Sequence, residues 1–274
     1  MHTFKLPCVL LALTATSFAF AQSDPSSAAS TDNSTAATPP ASSLKVGIGA
    51  DYSSGDYGFS DDTEVFSTSL NLTHESQQWL LRAVVPYVTV RGPASVVNGS
   101  GAVFAAPARP TRSSKSGIGD VIGSATFHAR PSADHVNVDF TGRVKFGTAD
   151  EAKGLGTGET DFYAQTDLYQ RFGHVTPFTS LGYRFLGKTS LYQLKDGPYA
   201  SLGSIFQTTD ATSVGLSLDW RSRIVAGGKD AFESTLFVVH NPTASRWNLV
   251  GYVLKGYTDA SADLGLGGLV NYRF

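Results

Sequence analysis

Apolar and polar residues alternate along this chain with a period of two. The stretch VNVDFTGRVKF, residues 136–146, shows the pattern clearly, because valine and phenylalanine take one parity while Asn137, Asp139, Thr141, Arg143 and Lys145 take the other. Successive side chains of a β-strand point to opposite faces of its sheet. The stretch therefore predicts a strand with one apolar face and one polar, charged face.

The same alternation recurs through the chain, and helical periodicity is weak everywhere. No segment after the N-terminal region approaches the roughly 18 consecutive apolar residues of a spanning helix. One strand and its connection take roughly 19 residues, more than the about 8–12 expected of a soluble β-sandwich. Twelve strands are predicted, over residues 44–53, 65–74, 78–90, 118–130, 136–147, 159–172, 176–186, 198–208, 212–224, 232–240, 246–257 and 263–274.

The connections between these strands alternate between short and long. ESQQ, PSADH, GHV, TDA and NPTA are short, and longer connections, of which 91–116 is the longest, lie between them. This alternation is typical of outer-membrane barrels, in which tight turns lie on one side and longer loops on the other. A sheet in lipid has to close, because an open edge leaves backbone groups unpaired in hydrocarbon. The predicted fold is all-β, a closed antiparallel transmembrane β-barrel of about 12 strands.

The amino-acid composition indicates that this barrel is surrounded by lipid rather than by water. Charged residues make up 16% of the chain, against about a quarter in an average soluble domain. The apolar face carries aromatic residues near the strand ends, as the two interfacial girdles of a membrane barrel do. These residues are Trp79, Phe127, Phe146, Phe162, Phe185, Phe206, Trp220, Trp247 and Tyr272. The alternative is a secreted soluble β-protein, and the net charge of −2 gives no indication of a nucleic-acid partner.

The first 43 residues differ in character from the rest. Residues 1–21 combine Lys5, an apolar stretch from Cys8 to Phe20 and an A-x-A-like site before Gln22, which predicts a cleaved secretory signal peptide. Residues 22–43 are rich in Ser, Ala, Thr and Pro and predict a disordered linker. The barrel is expected to occupy residues 44–274. The only cysteine lies in the signal, so an exported barrel is expected to lack disulfides.

Parity assigns a set of charged residues to the barrel interior. Arginine or lysine near the bilayer midplane costs about 2–4 kcal/mol on the lipid face, so the charged face should meet water. The interior could be a pore whose surplus of cations favours anions, or the charges could pair and fill it. The predicted lumen-lining residues are Arg82, Asp120, Arg130, Asp139, Arg143, Lys145, Asp161, Asp167, Arg184, Asp219, Arg221 and Arg223, with Arg273 on the same parity.

The last strand has a distinctive ending. Val270 and Tyr272 share the outward parity, and the sequence closes on Phe274. This ending resembles the C-terminal signature by which bacterial outer-membrane proteins are recognised for insertion. Tyr272 and Phe274 are therefore predicted to form an insertion signal for the barrel-insertion machinery.

Several longer stretches resemble one bacterial family. They are SGIGDV at 116–121, TGRVKFGTADEAKGLGTGETDF at 141–162, TPFTSLGYRFLG at 176–187 and the closing NYRF. The family is named for the MetA pathway of phenol degradation, and its members are regarded as outer-membrane transporters. The resemblance covers most of the chain from about Gly117 onward. It implies a porin-like barrel with a transport role and an undefined substrate.

Three other features are candidates for chemistry. The glycine-rich run 154–161 precedes an alternating strand rather than a helix, so a loop is predicted there rather than a phosphate site. Five histidines lie at the short-turn ends, either as solvated rim residues or as a metal site: His74, His128, His135, His174 and His240. None lies at the long-loop ends, where a lipid hydrolase would need one. No enzyme activity and no cofactor are predicted.

Together these patterns predict a monomeric outer-membrane channel for passive diffusion of small solutes, such as aromatic or anionic organic compounds. Its partners are expected to be membrane lipids, the insertion machinery and the solutes. The alternative is a closed structural or adhesive barrel without transport. Segment 91–116 is the candidate constriction, and its Arg109, Arg112 and Lys115 would add positive charge at the mouth.

Overall fold

A computed structural model describes residues 42–93, 95–97, 103–105, 113–129, 135–188, 194–242 and 245–274. Within these ranges the chain forms fifteen β-strands and a single 3₁₀ turn, Glu151–Lys153. No helix in the described ranges is long and apolar enough to cross a membrane. The strands are β1 (Ser42–Gly55), β2 (Thr63–Ser76), β3 (Trp79–Gly92), β4 (Ser95–Val97), β5 (Val103–Ala105), β6 (Ser113–Ile118), β7 (Ile122–His128), β8 (Asn137–Lys145), β9 (Asp161–Tyr169), β10 (Val175–Phe185), β11 (Gly197–Gln207), β12 (Thr212–Arg221), β13 (Ala231–His240), β14 (Trp247–Gly256) and β15 (Leu264–Arg273).

These strands close into a barrel. Each long strand pairs antiparallel with its neighbours in the chain, and β1 pairs with both β2 and β15, which joins the first strand to the last. β4 and β5 pair antiparallel in a separate two-stranded sheet. β6 and β7 both pair with β3 and together make one barrel strand. The barrel therefore has twelve strands, and the predicted closed antiparallel fold is confirmed.

The break between β6 and β7 is a bulge. Tyr87 of β3 pairs with Ile118, and Val84 pairs with Ile122, so two residues of β3 oppose three residues of the other strand. Pro86, which has no N–H to donate, is one of those two, and its carbonyl oxygen accepts from Gly119 N at 2.9 Å. Proline within a sheet is found at edges and at bulges. The missing ladder donor therefore coincides with the bulge, which places Asp120 on the inside.

The alternation of connection lengths is also confirmed. The strand ends that flank the connections 56–62, 93–112, 146–160, 186–196, 222–230 and 257–263 lie at one end of the barrel, which we call the loop end. The strand ends that flank the connections 77–78, 129–136, 170–174, 208–211 and 241–246 lie at the other end, which we call the turn end. Ser42 and Phe274 lie at the turn end too, where Phe274 N donates to Leu44 O at 2.9 Å.

The outer surface of the barrel is apolar. Leu216 and Leu236, cross-strand partners at mid-height, are 51% and 54% exposed. Aromatic side chains pair near both ends: Trp79 with Phe127 and Trp247 with Tyr272 at the turn end, and Phe232 with Tyr257 at the loop end. Buried residues on the opposite parity include many polar and charged side chains, together with an apolar cluster that contains Phe178, Phe237 and Leu254. This barrel thus carries its apolar side chains outside, the reverse of a soluble barrel.

Candidate functional site

The barrel interior holds most of the residues that parity assigns to it. Nine of them are at most 9% exposed on the inner face: Arg82, Asp120, Asp139, Lys145, Asp161, Asp167, Arg184, Asp219 and Arg221. Arg143 also faces inward but is only partly buried. Arg223 differs from the prediction, because β12 ends at Arg221 and Arg223 lies exposed in the connection beyond it. Arg130 lies outside the described residues.

Lys145 is the centre of one interior cluster near the loop end. Its Nζ atom lies 3.1 Å from a carboxylate oxygen of Asp120 and 3.1 Å from one of Asp161, and it donates to Thr157 Oγ1 at 3.2 Å. Asp120 also accepts from Ala149 N at 3.0 Å. Two carboxylates surround one ammonium group, so the cluster ties β8, β9 and the bulge to the connection 146–160.

The connection 146–160 folds into the mouth of the barrel. Leu155 is 1% exposed and Thr157 is fully buried. A Cβ atom at Gly117 would lie 2.9 Å from Leu155 Cδ1, so glycine leaves room for the leucine there. The sequence predicted a loop at 154–161, and the structure turns that loop inward. In the predicted constriction 91–116, Arg109 and Arg112 lie outside the described residues, and Lys115 is on β6.

A second cluster joins β11, β12 and β13. Arg221 Nη2 lies 2.5 Å from Glu233 Oε1, and both side chains are at most 3% exposed. Asp219 accepts from Ser217 Oγ at 2.8 Å and from Ser201 Oγ. A charge taken out of bulk water needs such partners, since an uncompensated buried charge is strongly destabilising.

Two more acidic residues have polar neighbours nearer the turn end. Asp167 accepts from Gln165 Nε2 at 2.7 Å and from Ser180 Oγ at 2.5 Å. Asp139 lies 3.0 Å from His128 Nδ1. His128 is 1% exposed, so it is not a solvated rim residue as the sequence suggested. Within the described residues, no group of three His, Cys, Asp or Glu side chains is placed to hold a metal ion.

A polar, partly exposed strip runs along the inner faces of β7 and β8. Ser124, Thr141 and Arg143 keep partial exposure there although they face inward. Arg143 lies directly across from Ser124 and stacks its guanidinium 3.9 Å from the Tyr163 ring centroid. No carboxylate of the described residues pairs with Arg143. The strip thus presents an unneutralised cation to the lumen.

Aromatic rings on the inner wall lie against glycines. A Cβ atom on Gly215 would come within 2.1 Å of the Phe237 ring, and one on Gly182 within 2.2 Å of the Tyr199 ring. In both cases the glycine is the direct cross-strand partner of the aromatic residue. The pairs Phe178 with Gly203 and Tyr252 with Gly267 have the same arrangement. Each ring therefore occupies the volume that a side chain on its partner would fill, and stays close to the wall.

Parity, applied to every strand, would have found three further interior residues. Lys45 and Asp51 of β1 share the inward parity and are 6% and 3% exposed, and Glu233 of β13 is fully buried. Asp51 accepts from Tyr252 Oη at 2.8 Å, and Lys45 lies 3.0 Å from Glu75. The signal was present in the alternation, but glycine and serine interrupt the inward parity of β1, and the inward parity of β13 carries Phe237 and Val239 beside Glu233.

Exposed ion pairs connect elements at the loop end. Lys229 Nζ lies 2.6 Å from Asp259 Oδ2, which joins the connections 222–230 and 257–263. This hydrogen bond raises the pKa of Lys229 and lowers the pKa of Asp259. Asp196 accepts from Leu186 N at 2.8 Å and pairs with Lys188, and the backbone bond is the main cause that lowers its pKa.

The predicted insertion signal lies at the turn end. Tyr272 packs edge-on against Trp247 and Phe274, with ring centroids 4.9 and 5.1 Å apart. Phe274 is 67% exposed. Recognition of this pair by the insertion machinery stays a prediction.

Comparison with known proteins places the fold among bacterial barrels. An outer membrane channel from Pseudomonas putida F1 superposes with a TM-score of 0.64 over 86% of this chain and 97% of the channel, at 13% identity. The transport unit of the Escherichia coli autotransporter AIDA-I gives 0.49 over 90% and 95%, at 10% identity. The P. putida toluene transporter TodX gives 0.44 over 97% and 99%, at 8% identity.

Two other comparisons gave no match, one with protein families and one with curated proteins. The resemblance to the MetA-pathway family therefore stays a prediction. At 13% identity the superposition on the P. putida channel shows a shared fold, that of an outer-membrane-type barrel.

Proposed function

We propose that this protein is a monomeric outer-membrane channel through which small organic solutes, aromatic or anionic, diffuse passively. In this proposal residues 1–21 direct export and are removed, residues 22–43 form a linker, and Tyr272 and Phe274 guide insertion. The observation that carries the proposal is the inversion of polarity, with Leu236 and its neighbours facing outward and Arg143 facing a water-exposed strip inside.

Four aromatic rings of the inner wall lie against cross-strand glycines, and each ring takes the space that a side chain on its partner would fill. Three of these rings, Phe178, Phe237 and Tyr252, also belong to a buried apolar cluster, so the proposed path runs beside that cluster. Barrels of about 8 strands are filled by their side chains, and those of about 16 enclose aqueous channels, so twelve strands allow a narrow path. The unneutralised Arg143 gives that path a preference for anions.

A closed structural or adhesive barrel is the second candidate. It is favoured by the interior ion pairs of Lys145 and Arg221 and by the inward fold of the connection 146–160, all of which occupy lumen volume. In that case the loop end would be the working surface.

Reconstitution of the full mature chain into planar lipid bilayers separates the two. A channel gives stepwise current increments that scale with salt concentration. A barrel that is folded, as judged by heat-dependent mobility in gel electrophoresis, and yet electrically silent would support the closed alternative. Recovery of the protein in the aqueous fraction without detergent would contradict both.

A further inference from the structure

A cavity at the loop end is built from three connections and the ends of three strands. Its volume is about 330 Å³, within the usual range of small-ligand sites. The connections 56–62, 222–230 and 257–263 contribute to it, together with Arg184 near the end of β10, Arg221 at the end of β12 and Ala231 at the start of β13. The cavity therefore lies where a solute from outside would first meet the barrel.

The cavity is lined by four cationic side chains, and only two of them have a carboxylate partner among the described residues. Arg184, Arg221, Arg223 and Lys229 all line it. Arg221 is paired with Glu233 and Lys229 with Asp259. Arg184 and Arg223 have no carboxylate partner among the described residues. Two guanidinium groups are thus left to attract an anion.

Of these two residues, Arg184 is the buried one. It is 2% exposed, and its Nη2 atom donates to the backbone oxygen of Ser222. Its Nε atom is buried and has no hydrogen-bond partner, and the same holds for Ser222 Oγ on the same cavity wall. Buried polar atoms in native proteins are nearly always satisfied, so these two atoms beside the cavity are available to hydrogen-bond a group that enters it. Guanidinium groups bind carboxylates with two parallel hydrogen bonds.

Apart from Ser222 and from Asp259, the partner of Lys229, the remaining lining residues are apolar, aromatic or glycine. They include Tyr57, Phe59, Ile224 and Val225. Tyr57 has φ of 48° and is followed by Gly58 with φ of 80°, and its side chain is only 7% exposed. A non-glycine residue with positive φ costs free energy and persists where the surroundings fix it, often at a binding site. Here the unusual backbone turns an aromatic ring into the cavity.

We infer that this cavity is a binding site for small organic monocarboxylates with a compact apolar body, held by Arg184 and Arg223 through the carboxylate and by Tyr57 and Ile224 through the body. The inference deepens the proposed function and rests on it for the role of the site, which is to concentrate such solutes at the mouth. Binding itself does not require conductance.

Calorimetric titration of the full mature chain in detergent tests the site, with benzoate as ligand and benzamide as its neutral isostere. We expect saturable benzoate binding and no measurable benzamide binding. Arg223→Gln should weaken benzoate affinity about tenfold or more, the loss of one charge-assisted contact. Arg246→Gln, the same change in an exposed connection at the turn end, should leave it unaltered.

Three results would overturn the inference: no benzoate binding by the wild type, equal binding of benzoate and benzamide, or equal effects of Arg223→Gln and Arg246→Gln. Arg223 is exposed, so its variant should fold even if Arg184→Gln does not. Bilayer conductance of the same preparations is scored separately. Binding without conductance would keep the site and reject the channel, whereas conductance without binding would do the reverse.

Discussion

Lys145 and Asp161 are cross-strand partners on β8 and β9, and the lysine Nζ atom lies 3.1 Å from the aspartate Oδ2 atom. Both side chains are at most 1% exposed, and Asp120 approaches the same ammonium group from the bulge. One buried cation thus compensates two buried carboxylates and anchors the connection 146–160 through Thr157.

Removing the Lys145 ammonium group should lower the free energy of unfolding. Lys145→Met leaves Asp120 and Asp161 uncompensated, and breaking a buried pair from one side costs about 3–5 kcal/mol. The free energy of unfolding in lipid vesicles, followed by tryptophan fluorescence in denaturant, measures the loss. Lys153→Met removes an exposed lysine paired with Asp150 in the same connection and should unfold close to the wild type. Equal stability of the two variants would show that the interior is wet enough to screen the cluster.

The glycines under the aromatic rings predict an effect on conductance. A Cβ atom on Gly215 would lie within 2.1 Å of the Phe237 ring, so Gly215→Ala must push the ring away from the wall and toward the axis. We expect a smaller single-channel conductance in planar bilayers. Gly142→Ala is the matched control, because a Cβ atom there meets nothing within 4 Å. If the two variants conduct alike, the Phe237 ring does not border the path.

Much of the fold could be predicted from the sequence, because the alternation of apolar and polar residues is a local pattern. The alternation is the same whether the apolar face of a strand points to lipid or into the barrel. Each predicted segment coincides with a strand of the barrel, and Asp139, Asp161 and Asp219 all lie on its inner face. The fourth strand is the informative exception, since β6 begins at Ser113 and precedes a bulge. A bulge shifts parity by one residue, so simple alternation cannot be read across it.

The candidate site is harder to predict from the sequence than the fold, because it depends on contacts between connections. Parity places Arg223 in the lumen only if β12 continues beyond Arg221, where the chain has left the strand. Leu155 lies in a glycine-rich run that looks exposed, yet it is buried because Gly117 on a distant strand makes room for it. Nothing in the local pattern connects these two positions.

A charged residue on the outward face should lower the free energy of unfolding by an amount that depends on its depth in the bilayer. Leu236 is at mid-height on β13 and 54% exposed, so Leu236→Arg should lower the free energy of unfolding in vesicles by about 2–4 kcal/mol. Leu44, the third residue of β1, lies near the turn end and is also exposed. Leu44→Arg should cost only about 0–1 kcal/mol there. Costs that do not differ with position would argue against a lipid-facing surface.

The Lys229–Asp259 pair should hold the two connections together over a defined pH range. The lowered pKa of Asp259 means that its contribution is present above the unfolded value of about 3.9 and is lost as pH falls through the folded value. The raised pKa of Lys229 means that its contribution is present below about 10.4 and is lost as pH rises through the folded value.

Hydrogen exchange of 222–230 and 257–263, corrected for intrinsic rates, measures this contact. The wild type should be better protected than Asp259→Asn at pH 5–9, which lies within those limits of about 3.9 and 10.4. The two should converge in stronger acid. Asp210→Asn, an exposed change at the turn end, should match the wild type throughout. A protection difference that persists below the lowered pKa would exclude the ion pair as its cause.

Arg143 should set the ionic preference of the path. It faces inward, is partly exposed, and has no carboxylate partner among the described residues, whereas Lys145 two residues away is neutralised by Asp120 and Asp161. Arg143→Glu replaces an unneutralised cation with an anion, so the reversal potential in a salt gradient should move toward that of a cation-preferring pore. Lys255→Glu is the control, because Lys255 is exposed on the outward parity of β14 near the loop end. A reversal potential that Arg143→Glu leaves unchanged would mean that ions do not pass the strip formed by Ser124, Thr141 and Arg143, and the path would then have to run along another wall.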